Sequence, residues 1–211
     1  MQIQASQYKF CQLLESLNCP PKKAAILWEE IYSYYNSPKR HYHNLNHLES
    51  MFNEMETHRG MIEDPEIMAV SIWYHDLIYD VKRKDNELLS AERAKSVLTE
   101  LGITNEKIDK CYSQIIATKS HESSNQDKDL NWLMDIDLEV LGRDWESYKL
   151  YTQQIRAEYK IFPWFMYKKG RKKAMQSFLQ RERIYHTSHY YSKLESKART
   201  NIEREIKELL K

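Results

Sequence analysis

Apolar side chains recur every three or four positions along most of the chain, which is the spacing expected for one buried face of an α-helix. Turn and capping residues interrupt this pattern, and the interruptions predict about nine or ten helices. Their apolar stripes fall at 10–17, 26–35, 48–55, 67–75, 88–101, 108–116, 130–141, 145–159, 170–185 and 193–210. The sequence contains no internal repeat, no long linker and no break in composition. It therefore predicts one all-α domain over residues 1–211.

Several of these helices carry recognisable boundary residues. Proline suits the first position of a helix, asparagine and aspartate cap its amino end, and glycine ends it. We predict helix starts at Pro21, Asn44, Asp64 with Pro65, and Asn86, helix ends at Gly102 and Gly142, and a capping box at Ser192 with Glu195. The polar stretch 119–128 is predicted to be a loop.

Composition supports the helical prediction and narrows the class of protein. The chain has 4 glycines and 5 prolines, whereas a sheet-rich fold needs many tight turns that use these residues. Lysine and arginine number 32 and aspartate and glutamate 31, and this balance argues against a basic nucleic-acid-binding protein. A nucleic-acid partner is therefore not expected.

The sequence also favours a cytoplasmic location. Its 3 cysteines show no C-x-x-C spacing, which indicates neither a disulfide framework nor a cysteine zinc site. The amino-terminal residues lack the basic start and apolar run of a secretory signal. No stretch approaches the ~18 apolar residues of a membrane span, so no membrane partner is expected.

The pair His75-Asp76 ends an otherwise apolar predicted helix. Burying a carboxylate beside an imidazole costs several kcal/mol unless something compensates, and a divalent cation compensates for both groups at once. Adjacent helical residues point about 100° apart, so this pair cannot enclose an ion by itself. Other helices must supply the remaining ligands.

Two further side chains face the predicted core at suitable places. His47 lies beside the apolar stripe of the third helix, and Asp137 lies between apolar positions of the seventh. Asp135 is nearer the polar face and ranks second to Asp137. The alternative to a His/His/Asp/Asp metal site is an ordinary His-Asp hydrogen bond at a helix terminus.

These residues also carry a family likeness. The order His47, His75-Asp76, Asp137 resembles the H…HD…D signature of the HD-domain superfamily of metal-dependent phosphohydrolases. The chain looks most like a group of short predicted members with unknown substrate. The matching stretches are RHYHNLNHL (40–48), SIWYHDLIYD (71–80), DNELLSAERA (85–94), ATKSH (117–121), DIDLEVLG (135–142), YTQQIRAEY (151–159), GRKKAMQSFLQRERIY (170–185) and ARTNIEREI (198–206).

The resemblance implies that His47, His75, Asp76 and Asp137 bind one divalent metal ion. The intervals of 28 residues from His47 to His75 and 61 from Asp76 to Asp137 suit a site built on three helices. His43 is an alternative first ligand. Imidazole and carboxylate ligands together suit manganese, iron, cobalt, nickel or magnesium, with zinc also acceptable.

Such a site hydrolyses phosphate compounds by activating a bound water. Asp80 is our first candidate for the general base, because a loop after the metal-binding helix can carry it over the ion, and Glu87 is the second. His121 can protonate a leaving group or bind a phosphate. Positive charge for the substrate phosphates can come from Arg40, Lys119 and Arg156.

Two departures narrow the choice within the superfamily. The stringent-response hydrolases carry HD-x-x-E-D, but Leu77, Ile78, Tyr79 and Asp80 follow His75-Asp76 here, so the glutamate is missing. Dinuclear members have extra histidines between the HD pair and the last aspartate, and only His121 lies in that interval. The expectation is a mononuclear phosphohydrolase acting on a small phosphorylated substrate, preferably a nucleotide.

Two other functions remain open at this stage. One is an iron oxygenase of the HD type that uses His121 at a second metal. The other is a non-catalytic protein that binds a metal or nucleotide. The aromatic residues Trp164, Phe165 and Tyr167 are predicted to lie in the core, with a homodimer surface or a base-stacking wall as alternatives. The run YKKGRKK (167–173) is interpreted as a solvated turn and helix start.

Overall fold

In the computed structural model, residues 2–121 and 127–210 are described, and within these ranges the chain contains only helices and connecting turns. The α-helices are α1 (Gln2–Ser16), α2 (Pro21–Tyr35), α3 (Leu45–Thr57), α4 (Pro65–Tyr74), α5 (Asn86–Glu100), α6 (Asn105–Ala117), α7 (Lys128–Asp137), α8 (Trp145–Glu158), α9 (Trp164–Leu179) and α10 (Ser188–Leu209). Short 3-10 helices cover Arg59–Met61, Glu139–Gly142 and Tyr159–Ile161. The predicted all-α class with about nine or ten helices is confirmed.

Two expectations from the sequence concern a loop and membrane spans. The predicted polar loop over 119–128 includes residues 122–126, which lie outside the described residues. Among the helices that the structure does describe, none combines the length and apolar character needed to cross a bilayer.

Four of the predicted boundary signals are confirmed. Pro21 is the first residue of α2. The Asn44 side chain accepts a hydrogen bond from the Asn46 N–H and so caps α3, and Asp64 caps α4 by accepting from the Ile67 N–H. Gly102 follows α5 with a φ of 71°, a left-handed conformation that glycine adopts without a steric penalty.

Three other boundary predictions are wrong. α5 does begin at Asn86, but Asp85 and not Asn86 occupies the capping position before it. The run 167–173, predicted to be a turn and helix start, lies inside α9, because its single glycine, Gly170, costs a helix only about 1 kcal/mol and neighbouring residues can offset this. The predicted capping box fails since α10 already begins at Ser188, capped by Thr187, and Glu195 accepts hydrogen bonds from the N–H groups of residues 184 and 185 instead.

The chain divides into two compact units, and the division falls inside α7. The first unit, Met1–Leu133, is organised around α4, whose residues 67–74 are all buried. Helices α1, α3, α5 and α6 all pack against α4. Asp129 at the start of α7 is fully buried and accepts hydrogen bonds from the Glu63 and Asp64 N–H groups and from Lys110 Nζ. This carboxylate ties α6 and α7 to the turn before α4.

The second unit, Met134–Lys211, is organised around α10, which packs against α9 and the 3-10 helix Glu139–Gly142. A buried ion pair between Arg171 and Glu205 lies in its interior. The Glu205 carboxylate accepts hydrogen bonds from Arg171 Nε at 2.8 Å and from the Tyr148 hydroxyl at 2.5 Å, and Arg171 also donates to the Tyr151 hydroxyl. That the two units together form the single domain predicted above stays a prediction.

The prediction that the aromatic residues after α8 are core is wrong for two of the three. Tyr167 is buried, but Trp164 and Phe165 are exposed over 52% and 72% of their surface. Both lie in the first turn of α9, where Trp164 contacts Arg156 and Tyr167 but about half of its surface, and most of that of Phe165, faces outward. The sequence pattern could not reveal this, because apolar residues in an irregular run have no periodicity that assigns a face.

Candidate metal centre

The best-defined part of the candidate site is His75, which follows α4 directly and is 1% exposed. Its Nδ1 atom lies 2.9 Å from the Ile72 carbonyl oxygen. A carbonyl oxygen only accepts hydrogen bonds, so Nδ1 must carry a proton and donate it. This leaves the Nε2 lone pair of a neutral ring available as a ligand, the arrangement found in metal-binding histidines.

The carboxylate of Asp76 faces this lone pair. Asp76 Oδ2 lies 3.1 Å from His75 Nε2 and 3.8 Å from His43 Nε2. A neutral His75 ring and an ionised Asp76 would face each other with two acceptor atoms, which repel at this distance. Either a second proton on His75 or a cation bound to both groups removes the repulsion. A metal ion does so without burying an imidazolium.

His47 lies next to His75. It is the third residue of α3, which the Asn44 cap fixes at its amino end, and its side chain is buried. The ring centroids of His47 and His75 are 5.5 Å apart. Tyr42 packs against His47 with a centroid distance of 4.8 Å, and His43 lies 5.9 Å away.

The third member of the group comes from α7, a continuous helix that ends at Asp137. One ligand atom from each of His47, His75 and Asp137 lies within 4.8 Å of the other two. Ligand atoms at about 2.0–2.2 Å from one tetrahedral ion are about 3.4 Å apart, so side-chain shifts of roughly an ångström would bring these three atoms around a single ion. The donor set of two imidazoles and one carboxylate therefore fits a divalent cation, with Asp76 against His75 as the adjacent carboxylate.

Arg40 holds the backbone beside this group. The guanidinium donates hydrogen bonds to the carbonyl oxygens of His43 at 3.2 Å, Asp76 at 2.7 Å and Leu77 at 2.6 Å. It also lies over the ring of Tyr35, 4.7 Å from the centroid. Burial and the nearby Asp76 charge raise the pKa of Tyr35, so this phenol stays neutral. The contacts of the predicted phosphate ligand Arg40 are thus to the backbone of the site.

Asp135, which ranks second to Asp137 as a predicted metal ligand, instead accepts hydrogen bonds from residues at the start of α10. Its predicted position near the polar face is wrong, because its side chain is fully buried. It accepts hydrogen bonds from the N–H groups of His186 and Thr187, both at 2.7 Å, and from the Thr187 hydroxyl at 2.6 Å. Burial raises the pKa of Asp135 to about 6, although these three hydrogen bonds oppose the rise. Asp135 therefore anchors the start of α10.

The predicted proton-transfer residues lie outside the His47, His75 and Asp137 group. Asp80 is exposed, and its carboxylate accepts a hydrogen bond from the Lys82 N–H within its own turn. Glu87, in the first turn of α5, pairs with Lys119 Nζ at 3.7 Å, and Lys119 also donates to the Lys84 carbonyl. His121 has a left-handed backbone with φ of 50° and is half-buried.

Arg156, the last predicted phosphate ligand, belongs to the second unit. Its guanidinium donates to the Tyr159 carbonyl at 2.8 Å and to the Phe162 carbonyl at 3.3 Å. It also lies over the rings of Trp164 and Tyr167, at 5.3 Å and 4.8 Å from their centroids. These contacts fix the turn between α8 and α9.

Sequence reasoning missed the groups that orient the ligands. The Ile72 carbonyl sets the His75 tautomer, and Tyr79 packs on His43 with ring centroids 4.3 Å apart. The HD dipeptide signals a histidine at a helix end, and a histidine there can reach the carbonyl three residues earlier. The backbone role of Arg40 leaves no local signal, because Asp76 is 36 residues away.

Comparison with known proteins adds no identification. No protein-family model, no curated protein and no solved structure matches the chain.

Proposed function

We propose that the chain binds one divalent metal ion through His47, His75, Asp76 and Asp137. The observation that carries this proposal is the state of His75, whose Nδ1 donates to Ile72 while its Nε2 faces the Asp76 carboxylate at 3.1 Å. A cation bound to both atoms satisfies a buried contact that otherwise needs a buried imidazolium. The nearby ligand atoms of His47 and Asp137 supply two further donors.

The proposed activity is the hydrolysis of a phosphate ester or anhydride of a small molecule, with a nucleotide as the preferred class. When bound, the ion supplies a water of lowered pKa and a positive charge for a phosphate oxygen. A mixed imidazole and carboxylate set suits manganese, iron, cobalt, nickel, magnesium or zinc. The likeness of the ordered ligands to the HD signature supports this reaction class, and a cytoplasmic location is part of the same proposal.

The residues around the site have separate tasks in this proposal. Arg40 keeps the carbonyls of residues 76 and 77 in place and so orients the Asp76 carboxylate. Lys119, already close to Glu87, supplies positive charge for the substrate at the start of α5. Asp80 is the general base that accepts a proton from the attacking water, and His121 donates one to the leaving group.

Metal binding is tested by elemental analysis and by titration of metal-free protein with Mn²⁺ and Co²⁺. We expect one equivalent per chain, with His75→Ala lowering affinity at least a hundredfold. His58→Ala is the matched control, because His58 hydrogen bonds to the Glu54 carbonyl of its own helix and lies outside the ligand group. Equal binding by both variants, or no binding by the wild-type chain, refutes the site.

Hydrolysis is tested by phosphate release from mono- and triphosphate nucleotides in each metal. Asp80→Asn is expected to lower kcat about a hundredfold while leaving the metal stoichiometry at one, because a general base acts on the proton and not on the ion. Asp109→Asn, an exposed aspartate on α6, serves as the control. Stoichiometric metal with no release from any nucleotide excludes nucleotides as the substrate class and favours the non-catalytic metal-binding alternative.

A further inference from the structure

A cluster of apolar side chains stands exposed where α8 gives way to α9. Ile161, Trp164, Phe165 and Met166, here called the 161–166 patch, are exposed over 58%, 52%, 72% and 50% of their surface. Scattered exposed apolar residues are normal on a protein surface, but four large ones within six positions are not. The patch lies in the second unit and includes no residue of the proposed metal site.

The patch is held in place by contacts beneath it. Arg156 donates hydrogen bonds to the carbonyls of Tyr159 and Phe162 on either side of Ile161. Its guanidinium also packs against the ring of Trp164, which stacks on the buried Tyr167 with centroids 5.6 Å apart. The exposed residues therefore belong to an ordered turn and first helical turn.

The charged residues of the segment that contains the patch are all basic. Residues 160–181 contain seven lysines and arginines and no aspartate or glutamate, whereas the whole chain has a net charge of only +1. Arg171 turns inward to Glu205. The lysines of this segment form no ion pair with any carboxylate that the structure describes, and they are Lys160, Lys168, Lys169, Lys172 and Lys173. Their charge is therefore available to a partner.

We propose that the 161–166 patch and these lysines dock the protein onto an anionic lipid surface. Tryptophan and phenylalanine side chains enter the boundary between headgroups and acyl chains, and isoleucine and methionine add apolar area there. Lysines near the surface of a membrane are attracted by anionic headgroups, and their long side chains can reach these headgroups while the apolar residues insert. Such peripheral binding needs no helix that spans the bilayer.

Two other occupants match the patch less well, a second copy because of charge and single-stranded nucleic acid because of the aliphatic side chains. A symmetric dimer through this patch would bring the same lysines of two chains close together, where they repel. Single-stranded nucleic acid would match the charge and could stack on Trp164 and Phe165. Ile161 and Met166, however, are about as exposed as Trp164 and offer no stacking surface. An apolar phase bordered by negative charge matches both features of the patch.

The proposal is tested by co-sedimentation of the full chain with vesicles of phosphatidylcholine alone and of phosphatidylcholine with phosphatidylserine. We expect binding to the mixed vesicles, weak binding to the neutral ones, and a decline with added salt. Trp164 is the most exposed of the five tryptophans, so its fluorescence should shift to the blue on binding. Trp164→Phe should abolish the shift while most sedimentation remains.

Two variants separate the apolar and electrostatic contributions. Phe165→Ser and the double variant Lys168→Glu with Lys169→Glu should each lower vesicle affinity at least tenfold. Ile26→Ser, at an exposed apolar position on α2, and Lys197→Glu with Lys207→Glu, at exposed positions on α10, are the matched controls. Circular dichroism and thermal unfolding show whether each variant keeps the wild-type fold.

Several results would overturn the proposal. These are the absence of binding to mixed vesicles at low salt, or an equal loss of binding in the control and patch variants. A chain that dimerises in sedimentation equilibrium only while the patch is intact, and ignores vesicles, would assign the patch to a second copy. Patch-dependent binding of an RNA oligonucleotide without vesicle binding would assign it to nucleic acid. Each outcome is independent of metal binding and phosphate release.

Discussion

Arg40 illustrates how a single side chain can shape the candidate site without entering it. Its guanidinium bonds to three backbone carbonyls, two of which belong to the residues that directly follow His75. The planar group presents several donors in a fixed arrangement, which an ammonium group cannot reproduce. Arg40 is therefore a positioning residue for Asp76.

We expect Arg40→Lys to weaken metal binding about tenfold to a hundredfold, because groups that orient metal ligands typically have effects of this size. Arg93→Lys is the matched control, since Arg93 pairs with Glu30 away from the site. Competition titration with Mn²⁺ measures both affinities. If the two substitutions change affinity equally, Arg40 does not position the ligand.

Asp129 provides a second test at this scale, now of stability. Its buried carboxylate accepts from two N–H groups and from Lys110. Asp129→Asn replaces one acceptor oxygen by an amide NH2 that faces donors, and we expect unfolding to become easier by about 2–4 kcal/mol. Urea unfolding measures the change, with the exposed Asp109→Asn expected to stay within about 0.5 kcal/mol. A small effect at Asp129 would contradict this account of the turn.

Individual residues were predicted correctly from the sequence where their position depends on their near neighbours in the chain. The HD dipeptide and the inward side of α3 pointed to His75 and His47, and the caps Asn44 and Asp64 followed from residue type alone. Asp135 was misjudged because its three donors come from residues 186 and 187, about fifty positions away. No local pattern contains such a contact.

At the scale of elements, two glycines have opposite environments. A Cβ atom on Gly142 would lie 2.6 Å from Leu194 Cβ and 2.9 Å from the Tyr185 hydroxyl, closer than side-chain atoms approach. Gly170, in the middle of α9, has nothing within 4 Å of the same position. The first glycine permits the close approach of α10, and the second only weakens its own helix.

Gly142→Ala should therefore destabilise the protein by about 1–3 kcal/mol through overpacking. Gly170→Ala should stabilise it by about 0.5–1 kcal/mol through the higher helix propensity of alanine. The two variants make the same chemical change and control for each other. Urea or thermal unfolding is the measurement, and shifts of the same sign would refute the distinction.

Helix boundaries were predicted less well than helix existence, for a physical reason. Ser192 and Glu195 have the spacing of a capping box, but Glu195 is bonded to the N–H groups of residues 184 and 185 and to Arg199. Thr187 instead caps α10 by accepting from the Tyr190 N–H. Both signals are present in the sequence, and tertiary contacts decide which of them is used.

At the scale of the whole molecule, metal binding and stability should be linked. An ion that binds only the folded chain stabilises it by about 2.7 kcal/mol at a free concentration one hundred times its Kd. For a chain of this length that corresponds to a rise in Tm of roughly 5–10 °C. Differential scanning calorimetry with and without Mn²⁺ measures the rise, and EDTA should reverse it. His47→Ala should abolish the rise and His58→Ala should preserve it.

Composition determined the whole-molecule predictions that were confirmed. The scarcity of glycine and proline and the three-to-four spacing of apolar residues were enough to predict an all-α chain. The overall charge balance was less informative, because +1 conceals the wholly basic segment 160–181. Net charge is a sum over the chain, whereas a surface is recognised through its local charge.

The surroundings of Arg40 also suggest that an added small molecule can replace its side chain once that side chain is removed. Truncation in Arg40→Ala would open a flat vacancy bordered by the rings of Tyr35 and Tyr79 and by backbone oxygens. Methylguanidinium has the charge and shape to fill it. We expect millimolar methylguanidinium to restore Mn²⁺ affinity in that variant and to leave the wild-type chain unaffected. In such a variant, the concentration of methylguanidinium would set the affinity of the site for the metal ion.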